Sequence, residues 1–326
     1  MSNRRHTLSA LASIAVCALS AMPAQAQAQF PNQSEKFVVP FSPGGLPDTV
    51  ARIVGQKLQE RLGQSVVIEN RPGAGGNVAA TALLSIPADG YTLMVTDGSM
   101  FTINPKLMKQ LTYDADKDFV PVVQLARGPL FLAAHPKLPV STFKEFIDYA
   151  RANPGKINYG SSGLGTTHHL TMEAVKAELK LDMAHVPFKG TGQSVPALLG
   201  GHVEVAFSAY PSLAGAVQGD KVKLLATNGL KRSADAPNIP AISEFIPGFD
   251  FAPVIGIFAR AGTPQAAIDK VAAEAMAVVK MPEVVAQLAK VGVEPAGAGP
   301  ADYAKGLKAE ADRVAATVKA ANIQPQ

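Results

Sequence analysis

Cysteine is almost missing from this 326-residue chain: its single one, Cys17, lies among the first 28 residues. Tryptophan is absent, aromatic residues make up 6% and charged residues 17%, while the hydrophobic share is 47%, so the apolar mass is aliphatic and a disordered or collagen-like chain is excluded. Lysine and arginine outnumber aspartate and glutamate by only 30 to 26, and no stretch gathers the basic residues into a stripe. Nucleic acid is therefore not an expected partner.

What is present begins with an export signal. Arg4 and Arg5 precede the uncharged, mostly apolar run Leu8 to Met22, and Ala24-Gln25-Ala26 offers a small-x-small cleavage site. Residues 1–28 are expected to be removed near Ala26 or Ala28, placing the mature protein in the periplasm with 28 basic against 26 acidic residues and no thiol. A lipid-attachment reading of Cys17 and a twin-arginine reading of Arg4-Arg5 both lack their flanking residues. No later apolar run reaches the roughly 18 residues that a membrane span needs. Disulfides, thiolate metal sites and cysteine nucleophiles are all excluded from the mature chain.

Short β-branched runs alternate with longer helical patterns, the signature of an α/β protein with parallel sheets covered on both faces. Strands are predicted at Phe37 to Phe41, Val66 to Glu69 and Tyr91 to Thr96, with helices Thr49 to Leu62 and Asn77 to Ile86 between them. A second series starts with extended runs at Val120 to Leu125 and Leu130 to His135. It continues through helices Thr142 to Ala152, Thr167 to Lys180 and Ser194 to Leu199 and strands Ile157 to Tyr159, Ala184 to Pro187, Val203 to Phe207 and Val222 to Thr227. Strand Val254 to Ala259 precedes three terminal helices, expected to return over the first half. This order predicts two lobes: 29–127 plus 250–326 as lobe 1, and 128–249 as lobe 2. Hinge strands would join them and bring the carboxyl ends of both sheets to one cleft.

Four strand-to-helix junctions carry candidate chemistry. In Phe41-Ser42-Pro43-Gly44-Gly45-Leu46-Pro47-Asp48, two glycines open the backbone to a ligand at a helix start, which suits an anion; a plain turn capped by Asp48 fits the residues equally. Arg71 to Asn77 is glycine-rich without the dinucleotide spacing, and no acidic residue closes the next strand except Asp97, so no nucleotide cofactor is expected. Gly160 to Thr167 has P-loop glycine spacing but Thr where Lys is required, leaving a Ser/Thr-rich loop. His168 and His169 invite a metal reading, with Glu173 four residues after His169, but two candidate ligands without a third do not make a site, and a helix-start histidine commonly packs or caps. Lys189, after His185-Val186-Pro187-Phe188, either faces the cleft or is a solvated turn lysine. An enzymatic alternative, a small-ester or phosphate hydrolase using Ser161 or Ser162 with His168, lacks the G-x-S-x-G elbow.

Pro40 to Asp48 with Ala51-Arg52, Val66 to Gly76, Asp89 to Leu93, Ile103-Asn104-Pro105, the Ser161 to Leu170 loop, His185 to Gly190 and Gly262-Thr263-Pro264 together resemble the Bug (TctC-like) family of periplasmic binding proteins of tripartite tricarboxylate transporters. The resemblance spans essentially the whole mature chain. It implies a two-lobed Venus-flytrap fold that closes on a small organic acid (a dicarboxylate, tricarboxylate, amino acid or aromatic acid) and delivers it to membrane permease subunits without cofactor or catalysis; a monomer is the default expectation for a delivery protein. Its implied contacts fall on Phe41, Ser42, Gly44, Gly45 and Asp48 in lobe 1 and on Ser161, Gly163, Thr166, Thr167 and His168 in lobe 2. The chain departs from the family pattern at Pro253 to Gly256, which lacks a Trp, and at Arg260, where the pattern has Pro.

Overall fold

A computed structural model describes residues 30–234, 236–320 and 323–325; the expected export segment lies outside the described residues. Eleven named strands form two sheets among the described residues. In the first sheet β1 (Glu35–Val39) pairs in parallel with β2 (Val66–Asn70) and β3 (Thr92–Asp97). Then β10 (Val254–Arg260) pairs antiparallel with β3 and with β4 (Phe119–Arg127), and β11 (Glu294–Ala298) closes the edge on β4. The second sheet runs β7 (Met183–Pro187), β6 (Ile157–Ser161), β8 (Val205–Ala209), β5 (Leu130–Ala134), β9 (Lys223–Thr227).

Both sheets are thus mixed rather than parallel. The strands that leave or re-enter a sheet, β4 with β10 and β5 with β9, are immediate neighbours and run antiparallel. Only Gly128 and Pro129 separate β4 from β5, and the return path from β9 to β10 is tied beside them by Asn228. Its side chain accepts from the Leu130 N–H at 2.7 Å and donates to the Phe251 carbonyl at 2.8 Å, so one buried amide holds both crossings.

Helix α1 (Leu46–Leu62) starts three residues before its predicted position, because Pro47 in the first turn needs no N–H partner and favours helix entry; Gly63, at φ 66°, ends it. The main core joins Phe37, Val50, Val54 and Leu58 of this helix and its sheet to aliphatic side chains of β4, β5 and β10. Truncating the fully buried Leu58 to Ala would cost roughly 2–5 kcal/mol. Helices α2 (Asn77–Leu84), α3 (Ser99–Thr102) and α4 (Asn104–Leu107) follow in the first half, and α5 (Phe143–Ala152), α6 (Thr167–Leu179), α7 (Thr191–Leu199) and α8 (Tyr210–Gln218) flank the second sheet. Of the terminal helices α9 (Gln265–Val278), α10 (Pro282–Lys290) and α11 (Pro300–Ala320), the first two pack on α1 and the last on β4 and α3. They cover the first half, as expected. Among the described residues no helix is long and apolar enough to cross a membrane.

Candidate functional site

The loop from Phe41 to Asp48 joins β1 to α1 and is organised by a carboxylate. Asp48 Oδ2 accepts from the Gly44 N–H at 2.9 Å and from Arg52 Nε at 3.0 Å, and Oδ1 accepts from Asn70 Nδ2 at 2.9 Å. Asn70 Nδ2 also donates to the Phe41 carbonyl at 3.0 Å, closing the turn on itself. Burial alone would raise the Asp48 pKa, but donors from Arg52, Gly44 and Asn70 outweigh it and hold the carboxyl below its usual range. Asp48 thus shapes the loop, and Gly45 caps α1 in extended conformation without a side-chain bond.

The loop from Ser161 to His168 joins β6 to α6 and contains no charged side chain. Ser161 Oγ lies 2.6 Å from His185 Nε2 and accepts from the Gly163 N–H at 3.1 Å, and Thr166 Oγ1 donates to the Gly163 carbonyl at 2.7 Å. Ser162 Oγ lies 2.7 Å from His168 Nδ1, while His168 Nε2 has no partner although the residue is buried. His185 stacks between His169, 4.2 Å away, and Tyr159, at 4.8 Å. Burial lowers His168 and His169 to about 4 and His185 to about 3, so all three rings are neutral near pH 7.

The two loops meet. Ser42 Oγ donates to the Lys189 carbonyl at 3.0 Å, Ser212 Oγ donates to the Gly44 carbonyl at 2.9 Å, and Thr167 Oγ1 donates across to Asp97 Oδ2 at 3.2 Å. Approach is close enough that two glycines are obligatory. A Cβ on Gly190, at φ +128°, would sit 2.6 Å from Ser42 Oγ, and one on Gly75, at φ +61°, would sit 2.8 Å from the Leu164 carbonyl oxygen.

Between the halves lie two adjoining spaces that share Phe41. The outer is an open cleft of about 370 Å³ edged by Gly73 to Gly76, Ser162, Gly163, Thr166 and the exposed Lys189. The inner, about 10 Å³, is edged by Gly45, Asp97, Leu130, His168 and Thr191. Phe41, Gly45, Gly163, Thr166, His168 and Lys189 therefore line the interlobe space. Ser42 and Gly44 reach across to the other half, Thr167 bonds Asp97, and Asp48 and Ser161 hold the loops from behind. Sequence reasoning did not place Asp97, Leu130, Met108 or Pro253 on these walls. Asp97 had one readable signal: it ends β3, at the carboxyl edge where open sheets bind ligands.

Comparison with known proteins bears on the family and the fold. The family model described as the tripartite tricarboxylate transporter family receptor matches residues 50–323. Protein BugT of Bordetella pertussis is 33% identical over 236 residues, 72% of each chain. Two solved structures share the fold throughout. A protein of R. palustris solved with adipate is 32% identical with a TM-score of 0.88, covering 91% of this chain and 100% of its own. MatC from Rhodopseudomonas palustris, solved with bound malate, is 31% identical with a TM-score of 0.83, covering 89% and 100%. These relatives are receptors that bind solutes, so the hydrolase alternative built on Ser161 or Ser162 with His168 falls away. The chain belongs to the tripartite tricarboxylate transporter receptor family, the Bug proteins, and is a solute-binding protein of the periplasmic-binding-protein fold rather than an enzyme.

Proposed function

We propose that this protein captures a small organic carboxylate between two lobes, 29–127 with 250–326 and 128–249, and delivers it in the periplasm to the permease subunits of a tripartite tricarboxylate transporter. Export and cleavage near Ala26 or Ala28 would put it there. The carrying observation is that two glycine-bearing strand-to-helix junctions, from different sheets, face one interlobe space. Helix starts present free N–H groups and the positive end of the helix dipole, each favouring an anion by roughly 0.3–2 kcal/mol, and charge-assisted N–H bonds add roughly 1.5–3 kcal/mol apiece. A carboxylate therefore needs no arginine fork. Phe41, Ser42, Gly44 and Gly45 would supply the lobe 1 side, with Asp48 shaping it. Gly163, Thr166, Thr167, His168 and Lys189 would supply the lobe 2 side, with Ser161 holding the loop.

A ligand touching both lobes binds the closed form better and so shifts the opening equilibrium towards it. The adipate and malate found in the two relatives support a small carboxylate as ligand class. Thermal shift against di- and tricarboxylates, amino acids and aromatic acids tests the reading: a true ligand at 100 times its Kd stabilises by about 2.7 kcal/mol. An unchanged melting temperature with every acid would overturn it.

A further inference from the structure

The inner space holds a group that a pocket for anions does not call for. Asp97 is buried, edges that space, and has Ser99 and Thr167 as its hydrogen-bond donors. No lysine or arginine pairs with it among the described residues. Behind it the surroundings are acidic as well. Glu310 is pushed up to about 7, first by burial and in part by Asp97 itself; Arg313 and Arg127 act on Glu310, and neither is among the groups acting on Asp97. Across the same small space stands His168, whose Nδ1 is engaged by Ser162 and whose Nε2 is buried with no partner. Asp97 and His168 thus edge one and the same small space, about 10 Å³ in this structure.

We infer that the deep end of the cleft recognises the head of an amino acid: Asp97 takes the ligand ammonium, while His168 Nε2–H and the amides of the neighbouring helix starts take the carboxylate beside it. This rests on the carboxylate-capture reading and names its ligand class. The remainder of the ligand extends past Phe41 into the outer cleft, towards Lys189, when the lobes part enough to admit it. Burial raises the Asp97 pKa against the lowering effect of the Ser99 and Thr167 donors. An incoming ammonium relieves that penalty, whereas the second carboxylate of a plain diacid adds to it.

The test uses pairs that differ only in the amino group: L-aspartate and succinate, L-glutamate and glutarate, L-2-aminoadipate and adipate. Calorimetric titration of the native protein should show the aminated member of at least one pair binding at least tenfold more tightly. In Asp97→Asn, whose amide oxygen can keep the Ser99 donors while its NH2 replaces the oxygen that faces Thr167 Oγ1, that preference should fall by tenfold or more while the plain diacid binds as well or better. A melting curve and circular dichroism confirm that the variant is folded, and Asp97→Ser serves as the second variant should it not be. Plain diacids bound as tightly as their aminated partners by the native protein, or a preference that survives both substitutions, would overturn the role of Asp97 and leave carboxylate capture standing. Binding of neither member of any pair, nor of any other acid, would overturn both.

Discussion

The two loops that face each other across the cleft perform similar backbone work by opposite chemistry. The Phe41–Asp48 loop is held by a charge, the Asp48 carboxylate with Arg52 beside it and Asn70 beneath. The Ser161–His168 loop is held by neutral hydroxyls and imidazoles buried in a ring stack. An anion entering between them thus meets a carboxylate already neutralised by its own donors on one side and an uncharged polar network on the other. On the carboxylate-capture proposal the positive field would come from peptide dipoles, which would let a chain with little net charge bind an acid.

This contrast is open to direct attack. Acidification should damage the second loop most. His168, His169 and His185 have folded pKa values of about 4, 4 and 3, below the ordinary 6.5 of the unfolded chain. Their stabilising contribution is whole above pH 6.5 and is lost as pH falls towards 4, because the unfolded state binds the extra protons. Denaturant unfolding across that window should reveal a loss of several kcal/mol, made smaller by His185→Phe, which removes one titrating ring from the stack. Asp48→Ala should cost about 2–4 kcal/mol at pH 7 and weaken ligand binding, since it removes three accepted bonds from the first loop, while leaving the acid sensitivity intact.

A smaller effect of opposite sign sharpens the comparison. Glu35 in β1 is fully buried without a partner, and burial lifts its pKa to about 7 from an ordinary 4.5. The folded state holds that proton more tightly, so this residue favours folding at low pH and opposes it as pH rises from about 4.5 to 7. Glu35→Gln should therefore stabilise the protein by about 1–3 kcal/mol at pH 7.5 and by little at pH 4.5, read from the same unfolding curves. Least of all, raising salt to 0.5 M should change stability by under about 1 kcal/mol, because Arg52 is half exposed and much of the first loop's holding energy lies in buried hydrogen bonds.

Much of this was legible in the sequence because the loops sit where periodicity changes from two to 3.6, and glycines mark the change. The α/β character and the strand–helix order follow from that punctuation, whereas Phe41, Gly45, Gly163 and His168 were expected as contacts through the resemblance to the Bug family. Three things were hidden. Strand β11, Glu-Pro-Ala-Gly-Ala, has almost no β-forming residue and exists because β4 offers an open edge. The reversal of β4, β5, β9 and β10 follows from how the crossings pack, not from any local pattern. Asp97 lies 70 residues from Thr167, and only folding makes them partners. The short helices α3 and α4 were masked for a local reason: each is a single turn, too brief for a period to register.

A crystal structure of the protein with its tightest-binding acid tests the central claim most directly. The account predicts a carboxylate oxygen within hydrogen-bond distance of donors from both the Phe41–Asp48 loop and the Ser161–His168 loop. Density for that acid in the groove bounded by Arg127, Lys231 and Glu294 instead, with the interlobe space unchanged, would contradict it.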